Sequence, residues 1–430
     1  MRVEEPQFDA TATQATHGVV VRSTWQKHVL TFLMVFGPGL IVMEADNDAE
    51  AVSTYMQAGG QYGLHLLWLL LVLLPICYFV QEMVARLGIA IGKGHAAMIY
   101  ERFGKWWGHF SLIDLLAVNF LTLITEFAAI SLALSALGVS PYVSVPVSAL
   151  GLTLMVVTGS YLRWERIVIV LCLMDLTWFV LAFMVHPHWA TVAHNSIVPT
   201  MAAGGITSSL VFLVIAIVGT TIGPWQLLFQ QSCVAEKQLR FSDLTWARLD
   251  TLIGAIFTVS VAGAMMLVGN YVFEHNVAFQ DPAQFALTLS PIAGNFVRNG
   301  VLLLMVNAAV LGTTAITLAS AWAYGEVKGV GTFALRRKLW EAPGFYATYI
   351  ACVGAAAAIL LIPHVPLQPV IISVQVFAGL ILPSAIIFFN CCLMIGSCSA
   401  IAGSTGHGTT TSTGRSSSFS SPCRCCLRRR

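Results

Sequence analysis

Charge is what this sequence has least of. Lys, Arg, Asp and Glu together make up 10% of its 430 residues, while 57% are hydrophobic. Soluble domains carry about 25% charged residues, so the inventory excludes an ordinary water-facing surface and places the chain in a lipid bilayer. The formal net charge of +2 supplies no field for nucleic acid or an acidic partner, and no obligate protein partner is evident. Residues 1–26 lack the apolar stretch of a cleavable signal peptide. Outside the C-terminal region, clustered cysteines are lacking as well. Cys77, Cys172, Cys233 and Cys352 stand singly in apolar stretches and read as small buried or lipid-facing residues rather than metal ligands. No HExxH pattern and no paired nucleophile and base are found, so the chain does not read as an enzyme.

What is present in abundance is long apolar runs. A span needs about 20 mostly apolar residues, and ten segments qualify, near residues 30–57, 62–91, 107–137, 142–160, 165–186, 207–233, 247–273, 291–325, 344–362 and 367–395. The segments between spans 2–3, 4–5, 6–7 and 8–9 hold Lys93, Arg102, Lys105, Arg163, Arg166, Lys237, Arg240, Arg248, Lys328, Arg336, Arg337 and Lys338. Those between spans 1–2, 3–4, 5–6, 7–8 and 9–10 contain no Lys or Arg. This alternation predicts a multi-pass protein of the cell membrane with both termini in the cytoplasm. One missed helix would invert everything downstream, so the charges also check the number of spans.

Ten spans divide into two sets of five with opposite topology, and such inverted repeats bind their substrate where the first helix of each half is broken. The predicted units are a cytoplasmic tail over 1–29, repeats over 30–186 and 207–395, and a tail over 396–430. The first helices are then spans 1 and 6. Span 6 reads LVIAIVGTTIGPWQLLFQQS, with Gly219, Gly223 and Pro224 at its centre. Proline removes a backbone donor and frees carbonyls within the membrane. The tail is rich in Ser, Thr and Gly with Cys398, Cys423, Cys425 and Cys426. That is the composition of a disordered segment, or of a frameshifted reading frame in place of a genuine C-terminus.

Span 1 carries four acids in seven residues: Glu44, Asp46, Asp48 and Glu50, in EADNDAE. Ionisable groups in spans mark ion or proton pathways. In a regular helix Glu44 and Asp48 share one face and Asp46 and Glu50 nearly the opposite one. Either the segment unwinds or the two pairs serve different environments, and both cases favour a cation pathway. Asp114 and Glu126 in span 3 and Asp175 in span 5 are further acids within spans, whereas Glu82 is expected to pair with Arg86. The available ligands are hard oxygens, from carboxylates, Asn47 and the carbonyls of a broken span 6. No Cys, Met or His sits at that break. Such ligands suit Mg²⁺, Ca²⁺ or Mn²⁺.

Over residues 30–395 the chain resembles the NRAMP divalent-metal transporters. GPGLIVMEADNDAEAVSTYMQAGGQYG is similar to their first span, FVQEMVARLGIAIGKG to their second and GTTIGPWQLLFQQS to their sixth. The resemblance implies an all-α, LeuT-like inverted five-plus-five fold with broken spans 1 and 6. It also implies divalent-cation import, with the metal as cargo and no cofactor. The departures bear on selectivity. The family's Asp-Pro-Gly-Asn is Asp48-Ala49-Glu50-Ala51 here, and its Ala-x-x-Met-Pro-His is Thr220-Thr221-Ile222-Gly223-Pro224-Trp225. The span 10 glutamine of the family aligns with Ile381, although Gln375 lies on the same helix.

By resemblance the ion contacts the Asp48 side chain and the backbone near Ala45 and Thr220, with Gly223 leaving room. Glu44, Asn47, Glu50 and Gln375 are further candidates. A missing thioether is the pattern of the NRAMP-related magnesium transporters. The proton route is reduced to Glu126 as a residual site, because Trp225 replaces the family's histidine and alanine one of its span 3 acids. The expectation is therefore a Mg²⁺ importer, also passing Mn²⁺, that works uncoupled. An inside-negative potential gives a divalent ion about 4.6 kcal/mol per 100 mV, or roughly three decades of accumulation. The alternatives are a proton-coupled Mn²⁺/Fe²⁺ transporter and a sodium-coupled symporter of small solutes on the same fold.

Overall fold

The computed structural model describes residues 35–157, 160–201, 204–327, 335, 337–362 and 366–404. The predicted N-terminal tail, residues 30–34 of span 1 and residues 405–430 lie outside them. In lipid every backbone polar group must be satisfied within the segment, so apolar runs of this length fold as helices. In chain order they are α1 (Pro38–Glu44), α2 (Ala49–Tyr62), α3 (Leu67–Ile91), α4 (His95–Ala136), α5 (Pro141–Val157), α6 (Tyr161–Met174) and α7 (Thr177–Met184). There follow α8 (Trp189–Ile197), α9 (Ser208–Thr221), α10 (Pro224–Lys237), α11 (Leu244–Glu274), α12 (Pro282–Val327), α13 (Pro343–Leu360) and α14 (Leu367–Ser404).

Each of the ten predicted segments is occupied. Span 1 is α1 with α2, span 5 is α6 with α7, span 6 is α9 with α10, and α8 lies between spans 5 and 6. Among the described residues seven continuous helical stretches are long and apolar enough to cross a membrane. Ala49–Ile91 runs α2 and α3 together through the 3₁₀ turn Gly63–Leu66, α1 is too short by itself, and Pro141–Val157 is a shorter apolar helix, while α14 is counted only over its part Leu367–Pro383. One boundary moves: α14 continues to Ser404, past the tail boundary set at 396. No proline interrupts residues 396–404, so nothing in the backbone chemistry stops the helix there.

The packing pairs follow an inverted repeat. Span 1 packs along α11, which is span 7, and its counterpart span 6 packs through α10 along α3, which is span 2. Span 3 lies against span 8 and span 2 against span 7, each its own image when five is added. Spans 3 and 8 share a second feature. Each is preceded by a short helix that turns at a glycine, Gly104 (φ 85°, ψ 175°) and Gly294 (φ 85°, ψ 166°). That region of φ is open to glycine and costly for other residues. The seam between span 1 and α11 is built on small residues. A Cβ on Gly39 would lie 2.6 Å from Thr251 N, and one on Gly59 would lie 2.8 Å from Asn270 N. Close backbone approach of this kind drives helix association in lipid.

The first turn of α1 is held from outside its own helix. Asp250, buried on α11, accepts the N–H groups of Gly39 (2.7 Å), Leu40 (3.2 Å) and Gly37 (3.3 Å). Lys237 at the end of α10 donates to Phe36 O (2.7 Å) and pairs with Glu165 of α6 (2.8 Å). The short N-terminal half of span 1 is thereby pinned to spans 5, 6 and 7.

Candidate metal centre

Span 1 breaks without the family's Pro-Gly pair. Helix α1 ends at Glu44, and the chain turns through Asp46 N–H to Met43 O (3.3 Å) and Asn47 N–H to Glu44 O (3.0 Å). Asp48 then adopts extended backbone (φ −66°, ψ −178°) and caps α2, its Oδ1 accepting Ala51 N–H at 2.9 Å. A side-chain acceptor at that position satisfies one of the helix's free donors. In a continuous helix Ala49 N–H would donate to the Ala45 carbonyl. Here it donates to Glu126 Oε2 at 3.3 Å, which releases the Ala45 carbonyl from its helical partner.

Span 6 breaks at Ile222 (φ −137°, ψ 79°) and Gly223 (φ −76°, ψ 140°), with Pro224 opening α10. Pro224 has no N–H to offer the Thr220 carbonyl four residues back, and no partner reaches Thr220 Oγ1 among the described residues. Thr221 is committed elsewhere. Its hydroxyl bonds Ile217 O (2.6 Å) and Tyr55 (2.8 Å), and its carbonyl receives Cys77 Sγ (3.5 Å).

The four acids of span 1 and Glu126 are all fully buried or nearly so, and the ion pairs seen among the described residues include none of them. The Glu126 carboxyl meets that of Asp48, while no donor reaches Glu126 Oε1 or either Glu50 oxygen among the described residues. Asp46 faces Gln226, which holds Gln81 Nε2 at 2.7 Å. Asp48 and Glu50 stand at the N-terminal end of α2, where the helix dipole favours negative charge. Glu44 and Asn47 turn to a different set of partners, Thr258 Oγ1 on Glu44 (2.9 Å) and Thr258 O under Asn47 Nδ2 (3.2 Å). Of the two alternatives the segment takes the first, unwinding, and its acids do not keep the helical pairing: Glu44 parts from Asp48, which stands with Glu50 at the start of α2.

Gly223 and Gln375 require comment. A Cβ at Gly223 would lie 3.0 Å from Trp225 Nε1, so the indole edge already occupies the space that a missing side chain was expected to leave for hydration. Gln375 is buried on α14, which crosses α9 closely where the Gln375 carbonyl faces Gly219. Ile381 is half-buried further along the same helix. Glu82 pairs with Arg86 (3.5 Å) as expected and more closely with Arg248 (2.8 Å). Asp114 is half-buried on α4, three turns from Glu126.

Gly312 on α12 is a site residue that the sequence did not announce. A Cβ there would lie 2.6 Å from Asp48 Cβ and 2.8 Å from Glu126 Oε1, so only glycine lets the two acids meet. No group of three or more His, Cys, Asp or Glu side chains is arranged to hold a metal among the described residues. What the two breaks leave is a buried Asp48–Glu126 carboxyl pair at span 1 and a released backbone carbonyl at each break. A cavity of about 540 Å³ opens beside the far ends of α2, α9 and α14, lined by Gln57, Gln61, Ser208, Ser209, Gln280 and Gln368 among others. These uncharged polar groups lie on the side whose connecting segments lack Lys and Arg.

The chain is similar to known metal transporters in sequence and in fold. The model of the Nramp family (natural resistance-associated macrophage protein-like) matches residues 39–404. The divalent metal cation transporter MntH of Ralstonia nicotianae is 28% identical over 387 residues, covering 84% of this chain and 82% of that protein. The MntH of Mesorhizobium japonicum is 24% identical over 357 residues, covering 79% and 76%. Among solved structures, the manganese transporter of Eremococcus coleocola, crystallised as a histidine-to-alanine mutant, superposes with a TM-score of 0.71. It is 19% identical, over 87% of this chain and 81% of that one. At that identity the likeness speaks for the fold, which is LeuT-like.

Proposed function

Because the chain belongs to the Nramp family, we propose that it carries a divalent metal cation across a membrane by alternating access, with Mn²⁺ as cargo. The observation that carries the reading is the pair of opposed helix breaks. The breaks release the Ala45 and Thr220 carbonyls, and the Asp48 and Glu50 carboxylates are buried with no cationic side chain in ion-pair contact among the described residues. Buried carboxylates without a counter-ion need a proton or a metal ion to balance them, and oxygen ligands of this kind suit Mn²⁺. Proteins named MntH and a manganese transporter among the similar chains support the same ion.

Coupling to protons belongs to this proposal. Glu126 is the retained acid of the family's span 3 route, and it touches Asp48 and the first N–H of α2. The proposed setting is the cell membrane with both termini in the cytoplasm, supported by the alternation of Lys and Arg between spans.

A second reading, uncoupled Mg²⁺ import, is favoured by one observation: no thioether at Gly223 and no histidine at Trp225. The position of Trp225 weakens it, since the indole fills the space assigned to a hydrated ion. Uptake into proteoliposomes carrying an internal pH indicator separates the two. The proposal expects Mn²⁺ entry with acidification of the interior. Mg²⁺ entry with no pH change would replace it by the second reading, and failure of both ions to enter would sink both.

A further inference from the structure

Glu44 and Asp175 form a second acidic centre that, among the described residues, shares no hydrogen-bond partner with Asp48 and Glu126. Both side chains are fully buried, and four helices meet there. Glu44 ends α1, Asp175 follows the last residue of α6, Thr258 comes from α11 and Asn307 from α12. Thr258 Oγ1 donates to Glu44 Oε1 (2.9 Å), and Asn47 Nδ2 reaches Glu44 Oε2 (3.4 Å). Asn307 Nδ2 donates to Asp175 Oδ1 (3.0 Å) and to Leu171 O (3.1 Å). Both amides face two acceptors through nitrogen, which fixes their orientation.

That set leaves a shortage of donors. The Glu44 and Asp175 carboxyls meet, and no donor reaches Asp175 Oδ2, Asn307 Oδ1 or Asn47 Oδ1 among the described residues. Neither acid belongs to an ion pair seen among those residues. Their placement is also opposed by the backbone. A helix C-terminus carries negative partial charge and favours a cation, and the ends of α1 and α6 converge here. Acids at two such ends are a poor arrangement for stability and a good one for holding positive charge.

We propose that Glu44 and Asp175, with the amide oxygen of Asn307, hold a second divalent cation at a site separate from the Asp48 centre. Two carboxylates balance a divalent charge, and carboxylate and amide oxygens are ligands for hard ions such as Mn²⁺, Mg²⁺ and Ca²⁺. The inference rests on the divalent-cation reading above, and its test keeps the two apart.

The test titrates the purified full-length protein with Mn²⁺ and counts bound equivalents by electron paramagnetic resonance. The wild type is expected to bind two equivalents, Asp48→Ala one, Asp175→Asn one, and the double variant none. Glu44→Gln repeats the test from the other helix, with monodisperse elution and helical content checked for each variant. One equivalent in the wild type that Asp48→Ala removes, with Asp175→Asn and Glu44→Gln unchanged, overturns the second site and leaves the transport reading standing. Two equivalents, of which Asp175→Asn removes one and Asp48→Ala none, supports the second site and overturns the Asp48 centre instead.

Discussion

Replacing Gly312 by alanine adds one methyl group to α12 and nothing else. Its Cβ would stand 2.6 Å from Asp48 Cβ and 2.8 Å from Glu126 Oε1. To regain the 3.4 Å of ordinary contact, Asp48 must retreat by about 0.8 Å and Glu126 by about 0.6 Å, unless α12 itself shifts. Metal–ligand distances tolerate only about 0.2 Å, and a misplacement of about 1 Å in a reacting site costs on the order of 10²-fold. Alanine is at the same time a better helix former than glycine by about 1 kcal/mol. Gly312→Ala should therefore lower the apparent Mn²⁺ affinity by roughly one to two orders of magnitude while the fold stays intact. Concentration-dependent Mn²⁺ uptake into proteoliposomes, read beside thermal unfolding of the same preparation, measures both quantities. Unchanged apparent affinity would refute the claim that the Asp48–Glu126 contact is part of the site. Loss of uptake together with collapse of the fold would show instead that the methyl group disrupts the packing of span 8.

Three further expectations follow from the packing around the site. Asp250→Ala removes the acceptor for three N–H groups of α1, a cap worth about 1–2 kcal/mol, so hydrogen exchange over residues 37–40 should accelerate; unchanged protection would show that α1 is held by other contacts. Glu165→Gln leaves Lys237 buried without its counter-charge, a loss of about 3–5 kcal/mol for an enclosed pair, and should lower the unfolding temperature. The double variant Glu165→Leu/Lys237→Met should recover part of that loss, and additive losses would contradict the coupling. Gly223→Met must displace the Trp225 indole and should reduce Mn²⁺ and Mg²⁺ uptake together; a fall in Mg²⁺ uptake alone would favour the magnesium reading.

The parts of the structure that sequence reasoning reached are those set by local chemistry. Pro224 cannot donate a hydrogen bond wherever it sits, so the break in span 6 and the release of the Thr220 carbonyl follow from one residue type. The ten spans follow from apolar length and from the placement of Lys and Arg. The break in span 1 was signalled by the impossibility of aiming four acids at one site from a regular helix. The residue that makes it, Asp48 acting as helix cap, is legible only once the chain is seen to turn.

What sequence reasoning missed depends on how helices rotate against one another. Gly312 is one glycine among many along the chain, and its importance arises because α12 presents it to Asp48 and Glu126. The space beside Gly223 was assigned to water because glycine is small, but the neighbouring Trp225 folds back over it. Asp175 could not be assigned because its partners, Glu44 and Asn307, lie 131 and 132 positions away.

The central claim is that Asp48, at the break of span 1, binds a transported divalent cation. The most direct test is Mn²⁺ uptake by proteoliposomes containing the wild type, Asp48→Ala or no protein. The wild type should take up Mn²⁺, and Asp48→Ala, reconstituted at equal density, should match the empty vesicles. Uptake by Asp48→Ala at the wild-type rate would contradict the account.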